Sequence, residues 1–219
     1  MNDINVYLVR HAQSLANALT EDLIGQDNDT PLTKLGVNQA EKLGSRFSNQ
    51  GIIFDEIISS TYLRAKTTAE IVAIIAKYKK PITMTEALVE YNPGLWKGRK
   101  RAEIHADEKT VRAMSYQNMG FLFPGDHGES YHKVERRAAT FIENHIIHNK
   151  DVLAKAEENE LNIGVFTHGM TAKCVLHYIL GFSSDMLWKV RIGNTSVSHF
   201  VFNDKGWFVN SINDQGHLL

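Results

Sequence analysis

An arginine and a histidine, Arg10 and His11, directly follow a short apolar run near the start of the sequence. The run covers residues 4–9 and is typical of a buried β-strand. Open α/β sheets bind their ligands at the carboxyl ends of strands. An unpaired charge in a low-dielectric site is costly, and a bound anion would supply the missing partner. The two residues therefore indicate either an anion-binding site or a strand end that is capped at the surface.

Residues of the same kind follow two further predicted strands. Arg64 comes shortly after a strand over residues 55–60, and His168 and Gly169 come directly after a strand over residues 161–167. Because parallel strands bring their carboxyl ends to one edge of a sheet, these residues can meet despite their distance in sequence. The helices that follow would add backbone N–H groups and a positive dipole end. Together these groups favour a dianion such as a phosphoryl group, whose oxygens arginine binds in a bidentate fork.

Strand and helix patterns alternate along the chain, which predicts an α/β fold with a mostly parallel sheet covered on both faces. Apolar runs predict the strands, and apolar residues at helical spacing predict the helices. The predicted strands cover residues 4–9, 55–60, 81–85, 161–167, 195–202 and 207–212. The predicted helices cover residues 33–50, 62–77, 130–147 and 170–180.

Individual residues indicate how these helices begin and pack. Thr33 is predicted to cap the first long helix, because its hydroxyl can accept a free backbone N–H group. Gly36 and Gly44 predict that the same helix packs closely against the sheet. The helix over residues 130–147 can continue into the charged stretch at 151–160, which is predicted to be a solvated face.

Glycine and proline residues interrupt the pattern over residues 86–128. We predict a lid or substrate-facing insertion at about 91–128, with a helix over 103–119; the alternative is a solvated, partly helical connection. The basic segment 97–101 would either reach a second anionic group or be solvated. Four apolar side chains would either shape a wall of the pocket or, as we favour, pack the insertion against the sheet: Leu95, Trp96, Phe121 and Phe123.

The composition is that of an ordinary globular protein. Of the 219 residues, 43% are hydrophobic and 22% are charged, and the formal net charge is -1. Nothing in this balance indicates a nucleic acid or a membrane as a partner. The single cysteine, Cys174, excludes an intramolecular disulfide and is predicted to be a small core residue. Because a signal-peptide pattern and a membrane-spanning run are both lacking, we expect a cytoplasmic protein. We also expect a single domain over 1–219 and a loop over 22–31.

The three strand ends carry longer motifs around the residues named above. They read Leu8-Val-Arg10-His11-Ala-Gln-Ser14 with Asn17, Ser59-Ser60-Thr-Tyr-Leu-Arg64-Ala-Lys-Thr-Thr-Ala69, and Val165-Phe-Thr-His168-Gly169. In this order they resemble the histidine phosphatase superfamily, which includes the cofactor-dependent phosphoglycerate mutases and many phosphomonoesterases. Shorter blocks at 29–36, 90–98 and 128–130 also resemble that family. The resemblance implies a three-layer α/β/α sandwich and a phosphohistidine mechanism with no metal and no cofactor.

The resemblance also implies roles for the residues at the strand ends. His11 would be the nucleophile, which takes the phosphoryl group on an imidazole nitrogen. Arg10, Arg64 and His168 would hold the phosphoryl oxygens and neutralise charge during the transfer. Each role has an alternative, because His168 could be a core histidine and Arg64 could be a surface charge on its helix.

Three further positions are implied by the same resemblance. Glu90 matches the general acid, which protonates the leaving alkoxide and then takes a proton from water. A glutamate before a turn is common, so this assignment depends on the resemblance. Asn17 would donate a hydrogen bond to the phosphate, although it could equally cap a turn. Gly169 would be a second phosphate-binding position, in addition to Asn17.

We favour a phosphomonoester hydrolase that acts on a small phosphorylated metabolite. The true mutases carry paired arginines followed by a proline-rich segment, whereas this chain has four prolines and none of them cluster. A mutase must also exclude water between its two transfers. The alternatives are a cofactor-dependent phosphoglycerate mutase and a non-catalytic phosphate-binding protein. A metal-dependent hydrolase is a further alternative, but the sequence does not show the carboxylate clusters that it needs. The expected partner is a small-molecule phosphate ester, and a homodimer is a further expectation.

Overall fold

A six-stranded β-sheet forms the centre of the structure, a computed structural model that describes residues 1–18, 30–113, 119–125 and 127–219. The strands are β1 (Ile4–Arg10), β2 (Glu56–Ser60), β3 (Thr83–Thr85), β4 (Leu161–Thr167), β5 (Val197–Asn203) and β6 (Gly206–Asp214). They lie side by side in the order β3-β2-β4-β1-β5-β6. Among them, β5 alone runs antiparallel to both of its neighbours. The prediction of a mostly parallel sheet is confirmed.

Helices cover both faces of the sheet. In the described part of the chain they are α1 (Leu15–Ala18), α2 (Lys34–Asn49), α3 (Leu63–Ile75), α4 (Arg101–His105), α5 (Glu108–Ala113), α6 (Tyr131–Ile142), α7 (Lys150–Glu158) and α8 (Gly169–Leu180). Helices α2 and α3 pack together on one face, and α6 and α8 pack together on the other. None of the helices described combines the length and apolar character that crossing a bilayer requires.

The side chains of β1 alternate between the two faces, as the period of a strand requires. Ile4, Val6 and Leu8 lie in an apolar cluster with residues of α6 and α8. Tyr7 and Val9 lie in a second cluster with residues of α2 and α3. Burial on both faces explains why the strand is a nearly continuous apolar run. The result is the predicted three-layer α/β/α arrangement.

β4 lies between β1 and β2, although both of them precede it in sequence by about a hundred residues or more. It pairs in parallel with β1 from Leu161 opposite Ile4 to Thr167 opposite Arg10. On its other edge it pairs with β2, where Phe166 lies opposite Ser59. The three strands therefore end at one level, and the residues that follow them come together at that edge.

The first long helix begins as predicted and packs differently from the prediction. Thr33 Oγ1 accepts the backbone N–H of Gly36, which confirms the cap of α2. A Cβ atom on Gly36 would overlap the carbonyl of Gln13 in the loop after β1, and one on Gly44 would lie 2.9 Å from Ile75 Cβ on α3. The two glycines therefore allow close contacts with that loop and with α3, and the predicted contact with the sheet is wrong.

The helix at residues 130–147 does not continue into the charged stretch. After α6 ends at Ile142, one π-helical segment covers Glu143–Ile147. α7 then begins anew, because the side chain of Asn149 accepts the backbone N–H groups of Asp151 and Val152. An asparagine that caps a new helix turns the chain between two segments with similar helical patterns.

The segment between β3 and α6 contains two short helices where the sequence predicts a single helix over 103–119. The single helix is wrong because Asp107 separates α4 from α5. Its side chain accepts the backbone N–H of Lys109 and the hydroxyl of Thr110, and so starts the second helix. Residues 114–118 lie outside the described residues, as does most of the predicted loop over 22–31.

Aromatic side chains attach this segment to α6 and α8. Trp96 and Phe123 are buried, and their rings meet edge to face with centroids 5.3 Å apart. Phe121 stacks on Trp96 at 5.6 Å. Cys174 of α8 is fully buried in the same cluster, which confirms it as a core residue. Three of the four predicted apolar residues thus pack the insertion, against helices rather than the sheet, whereas Leu95 is exposed.

Candidate active site

Four of the predicted site residues meet at the carboxyl edge of the sheet. Arg10 is the last residue of β1 and His11 follows it, Arg64 lies in the first turn of α3, and His168 follows β4. Arg64 Nε donates a hydrogen bond to His11 Nε2 at 3.1 Å. The rings of His11 and His168 have their centroids 5.1 Å apart. Residues from three separate strand ends therefore form one cluster.

Hydrogen bonds on both sides of the His11 ring determine its tautomer. Nδ1 lies 2.7 Å from the carbonyl oxygen of Ala12, which can only accept, so Nδ1 carries the proton. The guanidinium of Arg64 can only donate, so the ring nitrogen that it contacts, Nε2, is unprotonated. Nε2 therefore carries the lone pair of the neutral ring. That lone pair accepts the Arg64 N–H, and it can act as a nucleophile once this N–H turns to a bound anion.

Burial keeps both histidines neutral. The side chain of His11 is almost completely buried, and burial is the main reason why its pKa lies well below the usual 6.5. The positive charges of Arg64 and Arg10 lower that pKa further. The pKa of His168 is also well below its usual value, again because of burial first and Arg64 second. The positive charge of the cluster therefore comes from the two arginines, and it would attract an anion.

A serine at the end of β2 holds His168. The ring nitrogen Nε2 of His168 lies 2.8 Å from Ser60 Oγ, and that oxygen accepts the backbone N–H of Tyr62. When the serine hydroxyl donates its proton to Nε2, the proton of the neutral ring is on Nδ1. Nδ1 is buried and has no hydrogen-bond partner among the described residues. Because an unsatisfied buried donor is costly, a phosphoryl oxygen would be a favourable partner for it.

Arg10 is anchored at one nitrogen and open at another. Its Nη1 donates to the carbonyl of Ile192 at 2.7 Å, whereas its buried Nε has no partner among the described residues. Burial lowers the pKa of Arg10, and the negative charge of Glu90 partly offsets that effect. Gly169 lies beside the guanidinium, and a Cβ atom there would lie 3.4 Å from Arg10 Nε. The glycine therefore leaves this face of the guanidinium uncovered.

The carboxylate of Glu90 lies at the amino terminus of α8. Its Oε2 accepts the backbone N–H of Met170 at 3.0 Å. Its Oε1 accepts two donors, the backbone N–H groups of Tyr91 and Thr171. A negative charge is favourable there because of the helix dipole. Oε2 has the lone pair that can still carry a proton.

Two threonines hold the segment that leads to Glu90. Thr167, the last residue of β4, donates its hydroxyl to the carbonyl of Leu88 at 2.6 Å. Thr171 in the first turn of α8 donates its hydroxyl to the carbonyl of Val89 at 2.7 Å. The segment is therefore attached to the same strand and helix that carry His168.

An arginine of α6 holds the same segment from the other side. Arg137 Nη1 donates to the carbonyl of Ala87 at 2.7 Å, and Nη2 lies 3.3 Å from the carbonyl of Glu90. The guanidinium also makes two hydrogen bonds, of 2.9 and 3.1 Å, with the carboxylate of Glu129. That carboxylate in turn accepts the backbone N–H of Asn92. Arg137 and Glu129 therefore form one polar clamp around the segment that carries Glu90.

Asn17 is connected to His11 through one further asparagine. Its Oδ1 accepts the backbone N–H of Ser14 and the Nδ2 group of Asn194, each at 3.3 Å. Asn194 Nδ2 also donates to the carbonyl of His11 at 3.0 Å. A backbone N–H can only donate, so it is the oxygen of Asn17 that faces Ser14, and Nδ2 is the remaining donor of this exposed side chain.

A cleft of about 570 Å³ opens beside the cluster. The predicted residues on its wall are Arg10, Glu90 and Gly169. Within the basic segment 97–101, it is Arg101 that lines the cleft. Two further cations of the wall were not singled out from the sequence: Lys173 and Arg191. Lys173 had a signal, because it follows Gly169 by four residues and therefore shares its face of α8.

The remaining polar residues of the site could be found from the sequence only in part. Ser60 and Glu129 lie within the motifs quoted above, although the motifs alone assign them no contacts. Arg137 and Asn194 lie outside the three main motifs. Their contacts are with backbone carbonyls of distant segments, and no local pattern reports such contacts.

The sequence and the fold together place the chain in a known superfamily. The sequence model of the family described as the histidine phosphatase superfamily (branch 1) matches residues 6–215. The chain therefore belongs to the histidine phosphatase superfamily.

Similar proteins within this superfamily bear different names. A probable phosphoglycerate mutase GpmB of Yersinia pestis (strain Pestoides F) is 30% identical over 98% of this chain and 95% of the relative. The solved phosphoserine phosphatase of Entamoeba histolytica, in complex with 3-phosphoglyceric acid, is 27% identical, with a TM-score of 0.77 over 99% of this chain and 100% of that chain. A phosphoglycerate mutase of Bacillus anthracis str. Sterne has a TM-score of 0.79 over 99% and 96% of the two chains, and at 22% identity it supports the fold alone.

Proposed function

We propose that this protein is a phosphomonoester hydrolase that acts on a small phosphorylated metabolite through a phosphohistidine at His11. The observation that carries the proposal is the state of the His11 ring, which is neutral, with its unprotonated Nε2 next to the Arg64 guanidinium. Arg10 and His168 lie around the same point. A lone pair surrounded by cationic and neutral donors is suited to attack phosphorus that bears negative oxygens.

In the first step, Arg64 Nε turns its N–H from the His11 ring to a phosphoryl oxygen, and the freed lone pair of His11 Nε2 attacks the phosphorus atom. An N–P bond forms while the P–O bond to the alcohol breaks. The two arginines and the Nδ1–H of His168 bind the non-bridging oxygens and reduce the repulsion between them. Glu90, protonated on Oε2, gives its proton to the leaving alkoxide, which departs as the alcohol. Oε2 is suited to this task because it accepts one hydrogen bond, whereas Oε1 accepts two.

In the second step, water attacks the phosphohistidine. The carboxylate of Glu90 takes a proton from the water, the N–P bond breaks and inorganic phosphate leaves. His11 regains the lone pair on Nε2. Asn17 donates a further hydrogen bond to the phosphate, and Gly169 leaves room for the phosphate beside Arg10. Each proton and each charge of this sequence is assigned to a residue of the chain, so metal independence is part of the proposal.

Trapping of the intermediate tests the proposal. With a radiolabelled phosphate ester, we expect label on His11 that is labile in acid and stable in alkali, and turnover that EDTA does not change. His11→Ala removes both the label and the turnover, whereas the matched control His132→Ala, at an exposed histidine of α6, keeps both. Full activity in His11→Ala would contradict the mechanism, and loss of activity in EDTA would contradict metal independence.

A phosphoglycerate mutase is the second candidate, because the 30% identical relative bears that name as a probable one. Support for the hydrolase comes from the 27% identical phosphoserine phosphatase and from the lack of paired arginines before a proline-rich segment. Incubation with 3-phosphoglycerate distinguishes the two. Release of inorganic phosphate supports the hydrolase, and conversion to 2-phosphoglycerate without that release supports the mutase. A non-catalytic protein would bind the ester and form neither product.

Other parts of the expected biology stay predictions. They are a cytoplasmic location, a homodimer, a single domain over 1–219 and a lid at about 91–128. Sedimentation of the purified chain measures the oligomeric state directly, and a monomer at micromolar concentration would contradict the homodimer.

A further inference from the structure

One ammonium group on the wall of the cleft, that of Lys173, has no ionic partner within the part of the chain that the structure describes. Lys173 lies one turn after Gly169 on α8 and lines the same cleft as Arg10 and Glu90. Its side chain is half-buried, and its Nζ lies 5.7 Å from the centre of the Trp188 ring. Among the described residues, no carboxylate forms an ion pair with it. The cation–π contact covers one side of the ammonium group and satisfies none of its N–H donors.

This arrangement is unfavourable in the absence of a ligand. Burial lowers the pKa of Lys173, and the negative charge of Glu90 partly offsets that effect. A partly desolvated cation without a hydrogen-bonded partner costs free energy, which an incoming anion would recover. A lysine with only a structural role would instead extend its ammonium group into water, because its stem is long and flexible.

The charge of the cleft exceeds what one phosphoryl group requires. As far as the described residues show, its wall carries four cationic side chains and one carboxylate, that of Glu90, which the amino terminus of α8 already binds. The proposed phosphoryl transfer uses Arg10 from the wall together with the buried Arg64. Arg101, Lys173 and the exposed Arg191 are left for the alcohol portion of the ester.

We infer that Lys173 forms a subsite for a carboxylate on the alcohol portion of the substrate. The inference rests on the proposed function for the phosphoryl end. One half-buried ammonium group balances one negative charge and supplies N–H donors to it, which fits a carboxylate. Arg191 at the rim adds longer-range attraction. Phosphate esters of hydroxy acids are therefore the preferred substrates over phosphate esters of neutral alcohols.

A matched pair of esters tests the inference. 3-Phosphoglycerate and glycerol 3-phosphate share one carbon skeleton and differ by a carboxylate in place of a hydroxymethyl group. We expect kcat/KM to favour 3-phosphoglycerate by about 10- to 100-fold, as for a hydrogen bond to a charged group. Lys173→Met removes the charge and keeps the apolar stem, so it is expected to abolish this preference. Lys173→Arg is expected to retain most of it, and the control Lys133→Met, at an exposed lysine of α6, to leave it unchanged.

The outcomes separate this inference from the proposed function. Turnover of both esters with an unchanged ratio in Lys173→Met would overturn the subsite and leave the hydrolase intact. If neither ester is turned over, the hydrolase fails on these substrates, and calorimetry of the two esters with His11→Ala then decides the subsite. Tighter binding of 3-phosphoglycerate that is lost on adding Lys173→Met supports it, and equal affinities refute it.

Discussion

Arg137 joins α6 to the segment that carries Glu90, so its removal tests how Glu90 is positioned. Arg137→Met keeps the length of the apolar stem and removes the guanidinium. The variant loses two hydrogen bonds to Glu129 and one each to the carbonyls of Ala87 and Glu90. We expect a loss of stability together with a selective loss of general acid catalysis.

The stability loss follows from the exposure of the ion pair. Breaking a fully buried pair costs about 3–5 kcal/mol, whereas an exposed pair contributes about 0–1 kcal/mol. The side chains of Arg137 and Glu129 are 21% and 20% exposed, so water replaces part of what is lost. The free energy of unfolding is therefore expected to fall by about 2–3 kcal/mol. For a chain of this size the midpoint Tm falls by about 4–12 °C.

The loss of activity depends on the leaving group. In the proposed mechanism an alkyl alcohol needs a proton from Glu90 as it leaves, whereas p-nitrophenolate departs without one. A displacement of about 1 Å at a catalytic group can lower a rate by about 100-fold. Measured well below the Tm of the variant, kcat on an alkyl phosphate is expected to fall by about 10- to 100-fold. The fall on p-nitrophenyl phosphate is expected to be several-fold smaller.

The neighbouring Arg136 supplies the control. It lies on the same helix, is exposed, and makes none of the hydrogen bonds to the 87–90 segment. Arg136→Met is expected to keep the Tm and both activities. Equal losses on the two esters in Arg137→Met, or no loss on either, would show that Arg137 does not govern the position of Glu90.

Three further predictions concern the reacting groups themselves. Glu90→Gln is expected to release p-nitrophenol in a stoichiometric burst followed by slow turnover, because the base for the attacking water is lost; stopped-flow absorbance without a burst would contradict this role. Gly169→Ala is expected to preserve the Tm and to weaken inhibition by inorganic phosphate about 3- to 10-fold, because the added methyl group would lie against Arg10 Nε. Unchanged inhibition would argue against a phosphate at that nitrogen. The pKa of His11 is lower in the folded chain than its ordinary 6.5, so between these two pKa values only the unfolded chain binds the proton. Urea titrations are therefore expected to show that the free energy of unfolding decreases as the pH falls below 6.5, by up to about 1.4 kcal/mol per pH unit for this group. The slope is expected to be shallower in His11→Gln.

The strands and most helices were predictable because local features determine them. Burial of β1 and β4 on both faces requires apolar runs, and the hydroxyl of Thr33 marks a helix start that the structure confirms. The breaks at Asp107 and Asn149 were missed, because their flanking residues continue a helical pattern while a single capping side chain interrupts it. The position of β4 between its neighbours has no local signal at all, since strand order depends on long-range packing.

The cluster of histidines and arginines was predictable for a similar reason. Each of its members follows a strand that the sequence identifies, and a parallel sheet brings such ends together. Glu90 was reached only through the resemblance, because loops and the start of α8 determine where it lies. The roles that we assign to Lys173 and Arg137 depend on what surrounds them in space. Lys173 lies in a cleft whose carboxylate, that of Glu90, is bound by the start of α8, and Arg137 contacts carbonyl groups of a distant segment.

The central place of β4 has a consequence for synthesis of the protein on the ribosome. When residues 1–150 have emerged, His11 and Arg10 have been synthesised, but β4, which lies between β1 and β2 and pairs with both, has not. The carbonyl of Ile192, which accepts a hydrogen bond from Arg10 Nη1, is synthesised later still. Two edges rich in unpaired backbone groups therefore stay open until late in translation, a state prone to aggregation. The cluster of Arg10, His11, Arg64 and His168 can therefore form only after most of the chain has been synthesised.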